Sequence, residues 1–128
     1  MRPARNRSKQ REAILTCIRS TTCHPTAHWV YTTLKPQMPE LSLGTVYRNL
    51  NILRQDGDIQ SVGFSLGMEH FDGDIHPHAH FFCTGCGCVT DLMDVPIPPA
   101  PETDSGQIDA VALSFHGTCQ ACLTQEED

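Results

Sequence analysis

A chain of 128 residues has room for one ordinary domain or two very small ones. No stretch nears the roughly 18 apolar residues that cross a bilayer, and the start, MRPARNRSKQRE, is basic and polar with no apolar segment of signal-peptide type, so the chain is expected to be cytoplasmic. In that compartment its seven cysteines are expected as metal ligands or free thiols rather than disulfides.

The net charge of −6 conceals a segregation. All nine Lys and Arg residues precede position 60, against four acids, a formal +5; the remainder holds the other eleven acids and no Lys or Arg, a formal −11. A polyanionic partner for the N-terminal half alone is what that split implies.

The first 60 residues read as helices. Ile14, Leu15 and Ile18 make a short apolar face between Lys9 and Ser20. His24-Pro25-Thr26 opens a second helix, with Thr26 as N-cap and Trp29, Val30 and Leu34 on one side, until Pro36 and Pro39 end it. Ser42 caps a third helix that runs to Asp56, with Gly57 as its stop. Val46, Leu50 and Leu53 recur at i, i+4 and i+7 and are expected in the core, leaving Thr45, Arg48, Asn49 and Ile52 opposite. From Ile59 the period shortens: Val62, Phe64 and Leu66 alternate as one arm of a hairpin, and Gly67 offers the turn. Three helices followed by a small hairpin form the winged helix-turn-helix pattern.

Residues 73–77, with Gly73 and Pro77, read as a hinge between a winged-helix domain over 1–72 and a metal-binding domain over 78–128. Within the latter, His78–Phe82, Cys88–Leu92 and Ile108–Phe115 read as strands, and the proline-rich stretch 95–106 as a loop. The fold class is therefore α+β.

Cys83-x-x-Cys86 and Cys119-x-x-Cys122 stand 32 residues apart. Each pair is a tight turn presenting two thiolates, and four thiolates complete a tetrahedral zinc shell. Such an ion, set at strand ends, would staple opposite edges of a small sheet and supply on the order of 10 kcal/mol to its folding. A redox-active CxxC is the alternative; two pairs in one cytosolic chain favour structural zinc. Cys17 is expected in the core.

A second set is dispersed. His78 and His80 stand two apart on a strand, so their side chains share a face about 6.6 Å apart. Asp72 lies upstream, Asp91 on the next strand, and His24 just before the second helix. Three His and two Asp make a nitrogen and oxygen shell of five with room for an incoming ligand, which suits Fe(II) or Mn(II) better than zinc. His28, His70, His76 and His116 are read as surface residues. On the third helix, Thr45, Tyr47, Arg48 and Asn49 are the types that enter a major groove, while Lys9, Arg11 and Arg19 would add phosphate contacts.

Ser42-Leu-Gly-Thr-Val-Tyr-Arg-Asn-Leu50, His24-Pro-Thr-Ala27 and His78-x-His80-x-x-Cys83-x-x-Cys86-Gly together resemble the ferric uptake regulator family over nearly the whole chain. The resemblance implies a DNA-binding winged helix, a C-terminal α/β dimerisation domain, and a homodimer that binds palindromic double-stranded operators when metal-loaded, hence a transcriptional repressor and no enzyme. Within the family the chain looks most like the peroxide-responsive repressors, whose three His and two Asp ligands match His24, Asp72, His78, His80 and Asp91. In these, Fe(II) reacts with hydrogen peroxide and a ligand histidine is oxidised; His24 and His78 are the matching candidates. An iron- or zinc-responsive regulator without peroxide chemistry is the alternative within the fold, and a zinc-bound thiol oxidoreductase the alternative outside it. Two departures stand out: the family's interface helix between Asp91 and Cys119 falls on the proline-rich stretch, and Val111 replaces a histidine that serves a further metal site in some members.

Overall fold

Polar side chains that accept backbone amides decide where the helices of the first unit begin. In the computed structural model, which describes residues 8–126, Ser8, Thr26 and Ser42 accept from the amides of Arg11, Trp29 and Thr45 at 3.0, 3.1 and 3.1 Å. These caps start α1 (Lys9–Arg19), α2 (Ala27–Leu34) and α3 (Leu43–Gln55). Arg2, Arg5 and Arg7 of the basic set lie outside the described residues. The chain divides into two units, Met1–Ile75 and His76–Asp128.

In the first unit the helices bury Ile14, Leu15, Ile18, Val30, Val46, Leu50 and Leu53 against one another, with Leu41, Ile59 and Phe71 closing the core. Each such side chain contributes about 1.5–3 kcal/mol by leaving water. The turn between α2 and α3 is held by Lys35, whose ammonium donates to the carbonyls of Pro39 and Leu41 at 2.7 Å each. Trp29 departs from expectation, being 41% exposed, while Ala27 is buried. Ala27, Val30 and Leu34 at i, i+3 and i+7 define the inward stripe of α2, and Trp29 falls outside it.

Asn49 is the second departure. It is 4% exposed, and its side chain accepts from Arg11 Nη1 at 3.1 Å while donating to the Thr45 carbonyl at 3.0 Å. An inward stripe of helix is about 100° wide, so the position three after Val46 and four before Leu53 belongs to it. Asn49 is therefore a core polar link between α1 and α3.

The wing pairs β1 (Gln60–Ser65) antiparallel with β2 (Met68–Asp72) through a two-residue turn, Leu66-Gly67, both with positive φ (50° and 81°). A bulge between Ser61 and Gly63 breaks the alternation, so Phe64 and Leu66 are exposed and Ser65 is buried instead.

The second unit is a three-stranded sheet of order β4-β3-β5, followed by α4 (Gln120–Glu126). β3 (Ala79–Cys83) runs antiparallel to β4 (Val89–Leu92) and parallel to β5 (Ser114–Gly117). The expected strand Ile108–Phe115 is thus shorter and later. Its pairing spans only His80↔Ser114 to Cys83↔Gly117, the His80 amide also donating to the Leu113 carbonyl at 3.1 Å, and among the described residues 108–112 belong to no strand. No helix is present between Asp91 and Cys119 among the described residues, where Pro96, Pro98, Pro99 and Pro101 remove amide donors. Among the described residues the buried apolar side chains of this unit are Ala79, Phe82 and Val89, beside the thiol of Cys83, too few to stabilise it unaided. Among the described residues no helix is long and apolar enough to cross a membrane.

Asn49→Ala leaves the guanidinium of Arg11 without this acceptor and should lower unfolding free energy by about 1–3 kcal/mol in urea titrations, whereas Tyr47→Ala, at an exposed site, should stay within about 0.5 kcal/mol.

Candidate metal centre

The strand ends bring the two Cys-x-x-Cys turns together. Cys83 closes β3, and the Gly87 amide donates back to its carbonyl at 3.0 Å, folding Cys86 alongside. Cys119 follows β5, and Cys122 lies on the first turn of α4. The four sulfurs lie within 4.8 Å of one another, with Cys83–Cys122 and Cys86–Cys119 at 3.7 and 3.9 Å. A tetrahedron of Zn–S bonds of ~2.3 Å has edges of about 3.8 Å, so the donor set fits zinc in kind and in size. Gly85 passes close: a Cβ there would stand 3.2 Å from Cys122 Sγ.

The thiols also behave as a set. The amides of Cys119 and Cys86, at 3.3 and 3.4 Å from Cys83 Sγ, lower that thiol to about 6. Cys122, crowded by the sulfurs of Cys119 and Cys83, is raised to about 12. Thiolates this close repel one another, and a divalent ion held by the four sulfurs would offset that repulsion. Cys17, by contrast, packs in the core of the first unit, and burial pushes its thiol up.

The imidazoles and carboxylates form two groups, one in each unit. In the first, His24 Nε2 is 3.4 Å from Asp72 Oδ2, with both side chains at or below 5% exposure. The other oxygen of Asp72 accepts from the Asp74 amide at 2.8 Å, fixing the carboxylate and turning Oδ2 toward His24. In the second, His80 lies opposite Asp91 across β3 and β4. One oxygen of Asp91 is 2.6 Å from His78 Nε2 and 3.6 Å from His80 Nε2. His78 Nδ1 lies 2.6 Å from the His76 carbonyl, which can only accept, so the proton sits on Nδ1 and Nε2 is the donor atom for a metal. The two rings stand 4.4 Å apart, as two imidazoles facing one point require.

Of the residues expected at DNA, Tyr47, Arg48 and Arg19 are exposed, and Thr45 is half-buried with its hydroxyl 2.9 Å from that of Ser42. Asn49 is buried and holds Arg11, so neither belongs with the freely presented contacts. His28, His76 and His116 are exposed as expected; His70 is not. It is 8% exposed, with Nδ1 2.6 Å from the His24 carbonyl. Its spacing of two from Asp72 on one strand is the signal for it in the sequence.

The model of the Ferric uptake regulator family matches residues 5–111. The peroxide-responsive repressor PerR of Staphylococcus aureus is 35% identical over 117 residues, 88% of this chain and 79% of that protein. The peroxide operon regulator of Bacillus subtilis is 30% identical over 121 residues, 91% and 83% of the two chains. Among solved structures, the ferric uptake regulator Fur of Helicobacter pylori aligns with a TM-score of 0.71 at 19% identity, over 92% of this chain and 82% of that one, a likeness of fold.

Cys119→Ser should abolish bound zinc and remove the cooperative melting of the second unit, an effect on the order of 10 kcal/mol, in metal analysis and thermal denaturation. His24→Ala should leave both unchanged.

Proposed function

The chain belongs to the ferric uptake regulator family of metal-responsive transcriptional regulators, and on that premise we propose that it is a repressor that leaves its operator when hydrogen peroxide oxidises a histidine ligand of its regulatory ion. The supporting observation is that its donor groups differ in kind. The cysteines form a closed sulfur set suited to structural zinc, while the histidines and aspartates offer only nitrogen and oxygen.

We assign His24 and Asp72 of the first unit, and His78, His80 and Asp91 of the second, to one ion, Fe(II) or Mn(II). A five-ligand shell leaves a position for an incoming oxygen donor. Fe(II) held there would supply redox catalysis toward hydrogen peroxide, with peroxide as the two-electron oxidant: one of its oxygens would enter a ligand imidazole at a C–H carbon and the other would leave as water. The chain's residues decide which atoms meet that chemistry. His78, pinned through Nδ1 to the His76 carbonyl, presents Nε2 and the adjoining Cε1 to the ion; His24 presents Nε2 beside Asp72. An imidazole that has gained oxygen at that carbon is a poorer donor, and loss of His24 unties the DNA-binding half from the sensing half. Regulators of this family bind operator DNA as dimers; here Tyr47, Arg48 and Thr45 of α3 would read the major groove, with Arg19 on phosphate.

The relatives at 30 and 35% identity are named for peroxide responses, which favours this over a purely iron- or zinc-responsive regulator. A thiol oxidoreductase is disfavoured because both Cys-x-x-Cys pairs share one cluster.

The test uses zinc-loaded full-length protein on a genomic fragment selected with its Mn(II) form. With Fe(II) and hydrogen peroxide, mass spectrometry should find one added oxygen on the peptide carrying His24 or His78, together with release of the DNA, while the Mn(II) form stays bound. Unmodified histidines on a retained fragment would replace this reading with the metal-responsive one.

A further inference from the structure

The segment before α2 is tied to the edge of the wing by an isolated bridge. Thr26 bridges His70 antiparallel, and the Phe71 amide donates to the Pro25 carbonyl at 2.9 Å. Carrying this register one step on sets His24 opposite Asp72, and both Thr26/His70 and His24/Asp72 are pairs of the type that exchange no backbone hydrogen bonds, whose side chains approach most closely. Between them Pro25 faces Phe71, where two backbone hydrogen bonds would normally be exchanged. Proline has no N–H to return. The segment that carries His24 is thus short of a donor where its ligand must be held.

His70 supplies one. Its imidazole Nδ1 lies 2.6 Å from the His24 carbonyl, a group that only accepts, so Nδ1 carries the proton and donates. The ring is 8% exposed, which shelters this bond from competing water. His70 and Asp72 are alternate residues of β2 and point to one face, so a single strand carries both the carboxylate ligand and the group that seats the imidazole ligand opposite it.

We infer that His70 is a positioning residue for the regulatory ion: it does not touch the metal but fixes the backbone of His24 so that Nε2 stays in line with Asp72. The inference rests on the assignment of His24 and Asp72 to that ion. Fixing a ligand in this way is worth tenfold or more in affinity at other metal sites.

The experiment titrates Mn(II) into zinc-loaded full-length protein, following free Mn(II) by electron paramagnetic resonance, with zinc content and the melting temperature of Mn(II)-free protein measured alongside. His70→Phe keeps a ring without the donor and should weaken Mn(II) binding about tenfold at unchanged zinc content. His70→Asn places an amide N–H near the former Nδ1 and should stay within about threefold of wild type, whereas His70→Gln puts its donor where Nε2 was and should weaken binding as the phenylalanine does. Should His70→Phe fail to fold, the Asn and Gln pair decides: equal affinities for those two overturn the inference, and so does wild-type affinity in a folded His70→Phe. His24→Ala separates the two levels. Loss of Mn(II) binding in His24→Ala with none in His70→Phe sinks only the positioning role; undiminished binding in His24→Ala removes the regulatory assignment and this inference with it.

Discussion

Four cysteine sulfurs within 4.8 Å of one another are a constraint before they are a site. Backbone amides hold one of them toward thiolate and the neighbouring sulfurs hold another toward thiol, so a cation held among them would balance the cluster. Everything in the second unit is built from that point. β3 ends at Cys83, β5 leads to Cys119, and α4 carries Cys122, so an ion held by the four sulfurs would join the ends of the central strand, its parallel neighbour and the helix. His80 lies three residues up the same strand, and its partner Asp91 lies across the β3–β4 ladder. With only Ala79, Phe82 and Val89 buried beside Cys83 among the described residues, the ladder that sets His80 opposite Asp91 has little apolar support, and a metal at its far end would supply it.

In the first unit the corresponding constraint is a buried carboxylate. Asp72 is 2% exposed, and such a group must be hydrogen-bonded and paired to be tolerated. The Asp74 amide takes one oxygen and His24 stands before the other. The three-helix core does not depend on this pair, whereas His24 depends on the core. Thr26, the N-cap of α2, lies two residues beyond it, and the amide of Phe71, buried in the same core, donates to the Pro25 carbonyl. A side chain anchored in this way is tied to α2, so a metal bound to it would act on the helix-turn-helix directly.

Sequence patterns reveal the features set by local chemistry. Ser42 and Thr26 are helix caps wherever they occur before an apolar-periodic run, and the two Cys-x-x-Cys turns carry their purpose in their spacing. The features that escape a sequence reading depend on geometry that spacing alone does not encode. Asn49 is of a type that suits solvent and so reads as part of the polar face, yet it falls inside the stripe defined by Val46 and Leu53 and links α3 to Arg11. Phe64 reads in phase with Val62, but the bulge after Ser61 shifts the phase. Strand β5 is expected too early because isoleucine and valine raise β-propensity over 108–112, where among the described residues no neighbour offers a ladder. His70 looks like one more surface histidine, since the pairing of residue 26 with residue 70 is a contact across 44 positions of chain.

The charge segregation takes on a mechanical sense once the two units are distinguished. Residues 76–128 contain eight acids and no Lys or Arg, so the positive charge available to that unit comes from histidine or from bound ions. Each divalent ion there relieves self-repulsion as well as joining ligands, and losing one is felt by every carboxylate nearby. The same acidity disfavours binding of a polyanion to this unit, and the charge available to attract one lies in the basic half. A metal-controlled regulator needs that separation. If the sensing half attracted phosphate by itself, binding would persist after the ion was lost, and the switch would have no off state.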